Sequence, residues 1–334
     1  MHAHAVIHNS RHINQLTRLA NRVFGSHCVG VRRDRKPCCE LREPIKTATN
    51  GRVDAPNERS GEGMGPSVTI AACPPISVIV PCHDAESTVE RALESIAKQT
   101  NWPTQAVVVD DASTDGTAGV LRRCAQRRWP FVLTVVTLPM NRGPSEARNA
   151  GWESIRPDSK YVAFLDADDV WLPRKLERQI AWMEKHQDVA WTAHRCIILG
   201  TAQPPPRDDG SSTKVTPISR RRLLARNLVA TPTVVVRASV RNRFRVGWRH
   251  CEDLLLWLDW LDAGARGVML DIPLAALGRV PGTPGGSTAD LEAMYRSEQR
   301  VICTLATEGR IPRLEAAAWQ GYAWLRYQRR RLRG

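Results

Sequence analysis

Short apolar runs alternate with stretches of helical periodicity from residue 75 onward. The apolar runs lie at 76–81, 106–109, 131–138 and 161–165. Runs of this length are typical of strands buried on both faces of a parallel sheet. The helical stretches lie at about 88–99, 117–128, 145–155 and 174–186. Strands and helices that alternate at this spacing predict an α/β fold with a doubly wound, mostly parallel sheet flanked by helices.

The pattern continues less regularly towards the C-terminus. Further apolar runs predict strands at 189–199, 231–236 and 268–277. Helical periodicity predicts helices at 253–263, 289–308 and 313–332. Proline and glycine interrupt the chain at 203–213 and 281–287, where we expect loops. On the 253–263 helix, Trp257 and Trp260 are expected to face the core, and Asp259 and Asp262 are expected to face solvent.

The first 73 residues have a different character. Turn-forming and charged residues dominate 32–66 and apolar periodicity is absent, so we predict a disordered basic arm. Translation that starts at Met64 would remove most of this arm. The predicted organisation is therefore an arm at 1–73, an α/β domain at 74–285 and a helical, basic extension at 286–334.

The composition of the chain indicates its cellular compartment. No apolar run approaches the roughly 18–20 residues of a membrane helix, and residues 1–10 lack the apolar segment of a secretory signal. The nine Cys are scattered and form no CxxC pair. These features are typical of a reduced, cytoplasmic protein.

The chain is basic, with 48 Lys and Arg against 34 Asp and Glu and a net charge of +14. Such a charge suits nucleic acid, anionic lipid or an acidic substrate. Because the chain has no nucleic-acid-binding motif, we expect no nucleic-acid partner. Arg329, Arg330, Arg331 and Arg333 follow a stretch rich in Trp and Tyr, which favours peripheral contact with an anionic membrane at its inner face. The alternative is a helix that packs on the domain and ends in frayed arginines.

Two of the predicted strands end in acidic clusters, Asp110-Asp111 and Asp166-Ala167-Asp168-Asp169. The carboxyl ends of the strands in such a sheet border one crevice, so we expect both clusters in one site. Two carboxylates one residue apart can bind Mg²⁺ or Mn²⁺, which completes its shell with diphosphate oxygens and water. The cation then neutralises a leaving diphosphate. A lone Asp-x-Asp triplet often occurs by chance, so the neighbouring sequence decides whether it marks a cation site.

Four successive segments resemble motifs of the family 2 glycosyltransferases, which have the GT-A fold. They are ISVIVPCHDAES at 76–87, VVVDDASTDGT at 107–117, NRGPSEARNAG at 141–151 and YVAFLDADDVWLPRKL at 161–176. A fifth segment, CEDLLLWLDWL at 251–261, resembles the later acidic motif of that family. The resemblance covers about 74–280. It implies an inverting enzyme that transfers a hexose or hexosamine from a nucleotide sugar, foremost a UDP-sugar, to a saccharide or lipid-linked acceptor.

The resemblance also implies roles for single residues at the donor. The nucleobase and ribose end of the donor would be lined by Pro81, His83, Asp84, Glu86 and Asp111. Arg148 would lie near the base or the diphosphate. Asp166 would contact the ribose and, with Asp168, bind Mn²⁺ or Mg²⁺.

Asp253 would be the catalytic base, with Glu252 beside it as the competing carboxylate. An inverting transfer needs such a group to take the proton of the acceptor hydroxyl as its oxygen attacks the anomeric carbon. The chain departs from the family pattern at His83-Asp84, at Asp259 and at 277–279. These differences bear on the acceptor more than on the donor.

Two alternatives come from other functional classes. One is a non-catalytic binding protein that keeps the fold, and the other is a basic nucleic-acid-binding protein. A protein without activity has no need of the full set Asp111, Asp166, Asp168 and Asp253. We therefore favour the enzyme.

Overall fold

The computed structural model describes residues 74–200, 214–279 and 290–332. The predicted arm at 1–73, the loop at 203–213, the break at 281–287 and Arg333 lie outside the described residues. The domain limits at 73–74 and 285–286 therefore stay predictions.

A single mixed sheet forms the centre of the described chain. Its strands are β1 (Ile76–Cys82), β2 (Gln105–Asp110), β3 (Val132–Thr137), β4 (Tyr161–Phe164), β5 (Val170–Trp171), β6 (Trp191–Ile198), β7 (Val215–Pro217), β8 (Val235–Arg237) and β9 (Gly267–Leu277). Their order is β3-β2-β1-β4-β8-β6-β9-β5, with β7 paired to β9. Strands β3, β2, β1 and β4 are mutually parallel, as are β6 and β9, whereas β8 runs antiparallel to its two neighbours.

Helices cover both faces of this sheet. They are α1 (Val89–Ala97), α2 (Thr117–Gln126), α3 (Pro144–Glu153), α4 (Lys175–Lys185), α5 (Arg220–Ala225), α6 (Glu252–Asp262), α7 (Leu291–Thr307) and α8 (Arg313–Arg331). Because side chains alternate along a strand, Val78 and Val80 join a core with α1, α2 and α4, whereas Ile79 joins a core with α3, α6, α7 and α8. The predicted α/β sheet with helices on both faces is confirmed.

Helix α6 is buried on almost every side. Its residues 254–258 are buried, and Trp257 and Trp260 are fully enclosed, as predicted. Trp191 of β6 packs against both of them, with ring centroids 5.4 Å from each. Aromatic pairs of this kind add about 0.5–1.5 kcal/mol beyond their buried area. The N-terminus of α6, which carries Glu252 and Asp253, is therefore mounted on a rigid element.

The prediction of a solvated Asp259 was wrong. This side chain is 8% exposed and accepts hydrogen bonds from Arg245 and Arg310 at 2.7–2.9 Å. Arg310 also binds Asp262, at 2.6 Å. The helical position alone indicated exposure, but the turn between α7 and α8 covers it and supplies the compensating charge.

One further local prediction also needs correction. The stretch 231–236 is a short 3-10 turn at Thr231–Thr233 followed by β8, because Pro232 has no N–H to give to a strand ladder.

Among the described residues, no helix is long and apolar enough to cross a lipid bilayer.

Candidate active site

The residues that follow β1 are bound to the turn that follows β2. The Asp84 carboxylate accepts the Thr114 N–H at 2.7 Å, and this bond lowers the pKa of Asp84. Glu86 accepts the Gly116 N–H at 3.1 Å, and His83 Nδ1 lies 3.0 Å from the Asp111 carbonyl oxygen. Pro81 lies within β1. These four predicted donor residues therefore lie together at the carboxyl ends of β1 and β2, beside the turn 113–116.

Asp111 is 3% exposed and holds the start of the segment that leads into α3. Its two carboxylate oxygens accept the N–H groups of Arg142 and Gly143 at 2.8 and 2.7 Å. Gly143 has φ +93, a backbone conformation that favours glycine. The carboxylate thus orders the loop before α3.

Arg148 joins the strand-end acids to the start of α6. The side chain is buried, and its guanidinium donates to Asp166 Oδ1 at 2.7 Å and to Glu252 Oε1 at 2.9 Å. It also lies over the ring of Phe244, 5.2 Å from the centroid. Burial opposes its charge, but the two carboxylates outweigh burial and raise the pKa of Arg148. Asp166 and Glu252, far apart in sequence, therefore border one site.

The acidic run after β4 contains a third carboxyl group, that of Asp169, beside Asp166 and Asp168. Burial, and then repulsion from Asp166, raises the pKa of Asp168. Asp169, to which the sequence assigned no role, is 6% exposed and accepts the Gly278 N–H at 2.8 Å. Burial and then Asp166 raise its pKa to about 8. The run of three Asp in four residues was the sequence signal for it.

This acidic group fits a hard divalent cation. Within the described ranges, no three His, Cys, Asp or Glu side chains are grouped to hold a metal by themselves. Asp166 and Asp168 offer carboxylate oxygens, the ligands that Mg²⁺ and Mn²⁺ prefer, and the missing ligands can come from diphosphate and water. Burial and then repulsion from Asp166 raise the pKa of Asp168, and a bound cation would relieve that repulsion.

The end of β9 closes tightly on the acidic run. A Cβ atom added to Gly278 would lie 2.0 Å from the Asp168 carbonyl oxygen, so only glycine fits there. Next to it, Arg279 Nε lies 3.6 Å from Asp168 Oδ2, and Arg91 of α1 donates to the Asp168 carbonyl at 3.0 Å. Residues 277–279, noted as a departure from the family pattern, thus form the wall beside the acids.

Asp253 lies at the first turn of α6 in a setting unlike that of Glu252. Its Oδ2 accepts the Asn227 side-chain N–H at 3.0 Å, and its Oδ1 accepts the Leu254 N–H at 2.6 Å. Burial, and then the charge of Glu252, raises the pKa of Asp253 to about 7. Asn227 had no sequence signal. Of the two neighbouring carboxylates, Asp253 is the one without an arginine partner among the described ion pairs.

Comparison with known proteins gives the family. The profile of Glycosyl transferase family 2 matches residues 77–243, half of the chain. The Escherichia coli UDP-Glc:alpha-D-GlcNAc-diphosphoundecaprenol beta-1,3-glucosyltransferase WfgD is 30% identical over 56% of this chain and 69% of its own length. The Bacillus subtilis putative teichuronic acid biosynthesis glycosyltransferase TuaG is 38% identical over 33% of this chain and 42% of its own.

Solved structures share the fold. The mannosyltransferase PcManGT from Pyrobaculum calidifontis, in complex with GDP-Man and Mn²⁺, has a TM-score of 0.55 at 20% identity and covers 75% of this chain and 70% of its own. S. aureus TarS in complex with UDP-GlcNAc has a TM-score of 0.53 at 21% identity and covers 70% and 66%. At these identities the likeness concerns the fold, which is GT-A. With the family match, it shows that the chain is a glycosyltransferase and belongs to glycosyl transferase family 2.

Proposed function

We propose that this enzyme transfers a sugar, with inversion, from a UDP-sugar to a saccharide or lipid-linked acceptor, assisted by a divalent cation. One observation carries the proposal. A single buried guanidinium, that of Arg148, binds both Asp166 after β4 and Glu252 at the start of α6. A donor held at the strand ends would therefore have its anomeric carbon close to the carboxylates of α6.

The donor would lie across the carboxyl ends of β1, β2 and β4. We assign the nucleobase and ribose end to the residues Pro81, His83, Asp84, Glu86 and Asp111, with Asp166 at the ribose. Asp166 and Asp168 would hold Mg²⁺ or Mn²⁺, which supplies charge neutralisation at the departing diphosphate. Arg148 would keep Asp166 oriented, because it is fixed on its other side by Glu252.

Asp253 would act as the base. Its carboxylate would take the proton of the acceptor hydroxyl while that oxygen bonds to the anomeric carbon and the bond from that carbon to the diphosphate breaks. Attack opposite the leaving group inverts the configuration. A base works best with a pKa near the working pH, and the pKa of about 7 at Asp253 suits this role. Glu252, which is paired with Arg148, is the weaker candidate.

The names of two relatives suggest the first substrates to try. WfgD and a second Escherichia coli relative, WfaP, 26% identical over 57% of this chain, are both named for UDP-Glc and GlcNAc-diphosphoundecaprenol. We infer a UDP-hexose donor and an acceptor joined to a lipid through diphosphate. The wall formed by 277–279 and the arginine-paired Asp259 differ from the family pattern, so the acceptor sugar can differ as well.

We further propose that the enzyme works in the cytoplasm at the inner face of a membrane. Arg329, Arg330 and Arg331 are exposed at the end of α8. Trp324 is 48% exposed on the same helix, and Leu314 is 85% exposed. Basic residues beside an exposed aromatic ring suit an anionic lipid surface. We also propose the domain organisation predicted from the sequence. It has a catalytic domain at 74–285, an extension at 286–334 and an arm at 1–73 that activity does not require.

A panel of nucleotides and nucleotide sugars, each with and without Mn²⁺, tests the donor site by thermal shift. A ligand that binds only the folded protein raises its unfolding temperature. We expect UDP and UDP-glucose to do so only with the cation. Transfer of labelled glucose to GlcNAc-diphosphoundecaprenol then tests the reaction. A chain that binds no nucleotide in either condition, and releases no UDP, would contradict the proposal.

A further inference from the structure

The segment that leads to the proposed base has no regular structure of its own. Residues 238–251 connect β8 to α6 without a helix or strand, and Cys251 has φ +57 immediately before α6 begins. Such a segment keeps one conformation only if other groups satisfy its backbone. Between residues 244 and 248, helix α3 supplies four of these hydrogen bonds, and Arg300 supplies one, to the Gly247 carbonyl.

Asn149 of α3 binds the backbone of Phe244 on both sides. Its side-chain amide donates to the Phe244 carbonyl at 2.8 Å, and its amide oxygen accepts the Phe244 N–H at 3.1 Å. The two bonds fix one residue of the segment in both directions, as a paired strand would. Among the described residues, Asn149 is the one whose side-chain amide binds both the N–H and the carbonyl of Phe244.

Three further contacts continue this pairing towards α6. Ser145 Oγ donates to the Trp248 carbonyl at 2.9 Å, and Glu146 Oε1 accepts the Gly247 N–H at 3.1 Å. Before α3, Asn141 Oδ1 accepts a hydrogen bond from Arg249 at 3.1 Å. The segment NRGPSEARNAG, which resembled a donor motif, thus lies along the path to the base.

The ring of Phe244 connects this pairing to the carboxylates. It lies under the Arg148 guanidinium, 5.2 Å from its centroid, and packs edge-on against Phe164, with centroids 5.6 Å apart. Arg148 in turn holds Glu252, the neighbour of Asp253. A shift of the Phe244 backbone would therefore disturb Glu252 and the start of α6, whereas Asp166 holds the other side of the Arg148 guanidinium in place.

Helix α3 is fixed on its opposite side. A Cβ atom on Gly151 would lie 2.5 Å from Ile79 of β1, so the helix lies directly on the sheet. Its leading turn is held by Asp111, and its Arg148 is bound to Asp166. Helix α3 is thus bound to residues of the proposed donor site, and it can therefore fix the position of the segment 244–251 relative to the donor.

We propose that Asn149 is a positioning residue of the transfer step. It acts through the segment 244–251 to hold Asp253 at the distance from the donor that the reaction requires. This inference rests on the proposed function, in which Asp253 is the base. Because an error of about 1 Å in such a geometry can cost on the order of 100-fold in rate, the effect of losing Asn149 falls on turnover and not on donor affinity.

The first experiment replaces Asn149 by Ala and measures UDP-glucose binding and turnover, with GlcNAc-diphosphoundecaprenol as the acceptor. We expect kcat to fall by roughly 10-fold or more, with the donor Kd changed less than about 2-fold. Hydrogen exchange at 244–251, which needs no substrate, should become faster. Asn149→Asp, which keeps the size and the acceptor for the Phe244 N–H, serves if the Ala variant does not fold. Asn242→Ala, an exposed amide of the same segment, is the matched control and should change none of these values.

A double-mutant cycle with Asp253→Asn separates the two proposals. If Asn149 acts through the base, Asn149→Ala should cost little further turnover once Asp253 is Asn. Fully additive losses, or unchanged exchange at 244–251, would overturn the positioning role even though the base assignment stood. Normal turnover in Asp253→Asn alone would instead remove the base assignment, and the exchange result would still decide whether Asn149 orders the segment.

Discussion

At the scale of single residues, Glu252 and Asp253 are neighbours in opposite electrostatic settings. Arg148 binds the Glu252 carboxylate at 2.9 Å, whereas Asp253 has an amide partner, Asn227, at 3.0 Å. Burial and then the like charge of Glu252 raise the pKa of Asp253 to about 7. Asp253 therefore suits the role of proton acceptor near neutral pH, whereas the carboxylate of Glu252 is occupied by an arginine.

We therefore predict that Asp253→Asn lowers turnover by roughly 100-fold or more, the usual contribution of a general base. Donor affinity should stay the same, because this side chain meets the acceptor and not the nucleotide. Titration calorimetry with UDP and Mn²⁺ and initial rates at saturating substrates measure both. If Asp253 only caps α6, the variant would instead be less stable with nearly normal turnover.

The same group sets the expected pH dependence. Because the base must be ionised, kcat/KM should rise with pH through an apparent pKa of about 7, and Asp253→Asn should lose this limb. The sign for stability is the opposite. A carboxyl whose pKa is raised in the folded state favours folding while it is protonated, and this contribution is lost as pH rises from about 4 to above 7. Denaturant unfolding across that range checks it.

Asp168 should be required for the cation. Asp168→Ala removes one of the two carboxylates that the cation would bind, so UDP should lose its Mn²⁺-dependent affinity. The variant should fold normally and even gain a little stability, because a partly buried carboxylate repelled by Asp166 is removed. Calorimetric titration with and without Mn²⁺ is the measurement. Unchanged affinity would take the metal role away from this residue.

At the scale of elements, the end of β9 shapes the acidic run. We predict that Gly278→Ala weakens nucleotide binding and costs about 1–3 kcal/mol of unfolding free energy, because the new Cβ collides with the Asp168 backbone. Gly119→Ala is the matched control. A Cβ there meets nothing nearer than 3.8 Å, and alanine favours a helix, so α2 should be unharmed. If both variants had the same nucleotide affinity and the same unfolding free energy, β9 could shift without loss of either.

The elements themselves could be predicted from sequence, but many of their contacts could not. The strands β1, β2 and β4 were foreseen, because a short apolar run has few other ways to be buried. Ser87 and Glu90 have the spacing of a capping box at the start of α1, but Thr88 is the N-cap and no side-chain cap bond forms there. Glu90 instead binds Arg127. A local sequence pattern cannot predict an ion pair with a residue that is distant in the sequence.

At the scale of the whole molecule, the site is assembled from two parts of the chain. The family match ends at residue 243, before Glu252 and Asp253, so these acids depend on elements beyond it. Helix α6 shares its core with α7 through Val301, Ile302 and Leu305 and with α8 through Ala316 and Ala323. The C-terminal helices therefore support the proposed base, and their loss should affect turnover as well as stability.

Those helices also present the surface that we propose to meet the membrane. We predict that Arg329, Arg330 and Arg331, changed together to Gln, reduce flotation with vesicles that contain anionic lipid. Each arginine near such a surface contributes about 1 kcal/mol, and salt screens it, so binding should fall with added salt. A triple Gln change at the exposed Arg122, Arg123 and Arg128 removes the same charge elsewhere and should leave flotation intact. Equal losses in both variants would indicate a response to net charge, and equal recovery with neutral vesicles would exclude the electrostatic contact. Only a loss specific to the end of α8 fits an enzyme that is held at the membrane by its last helix.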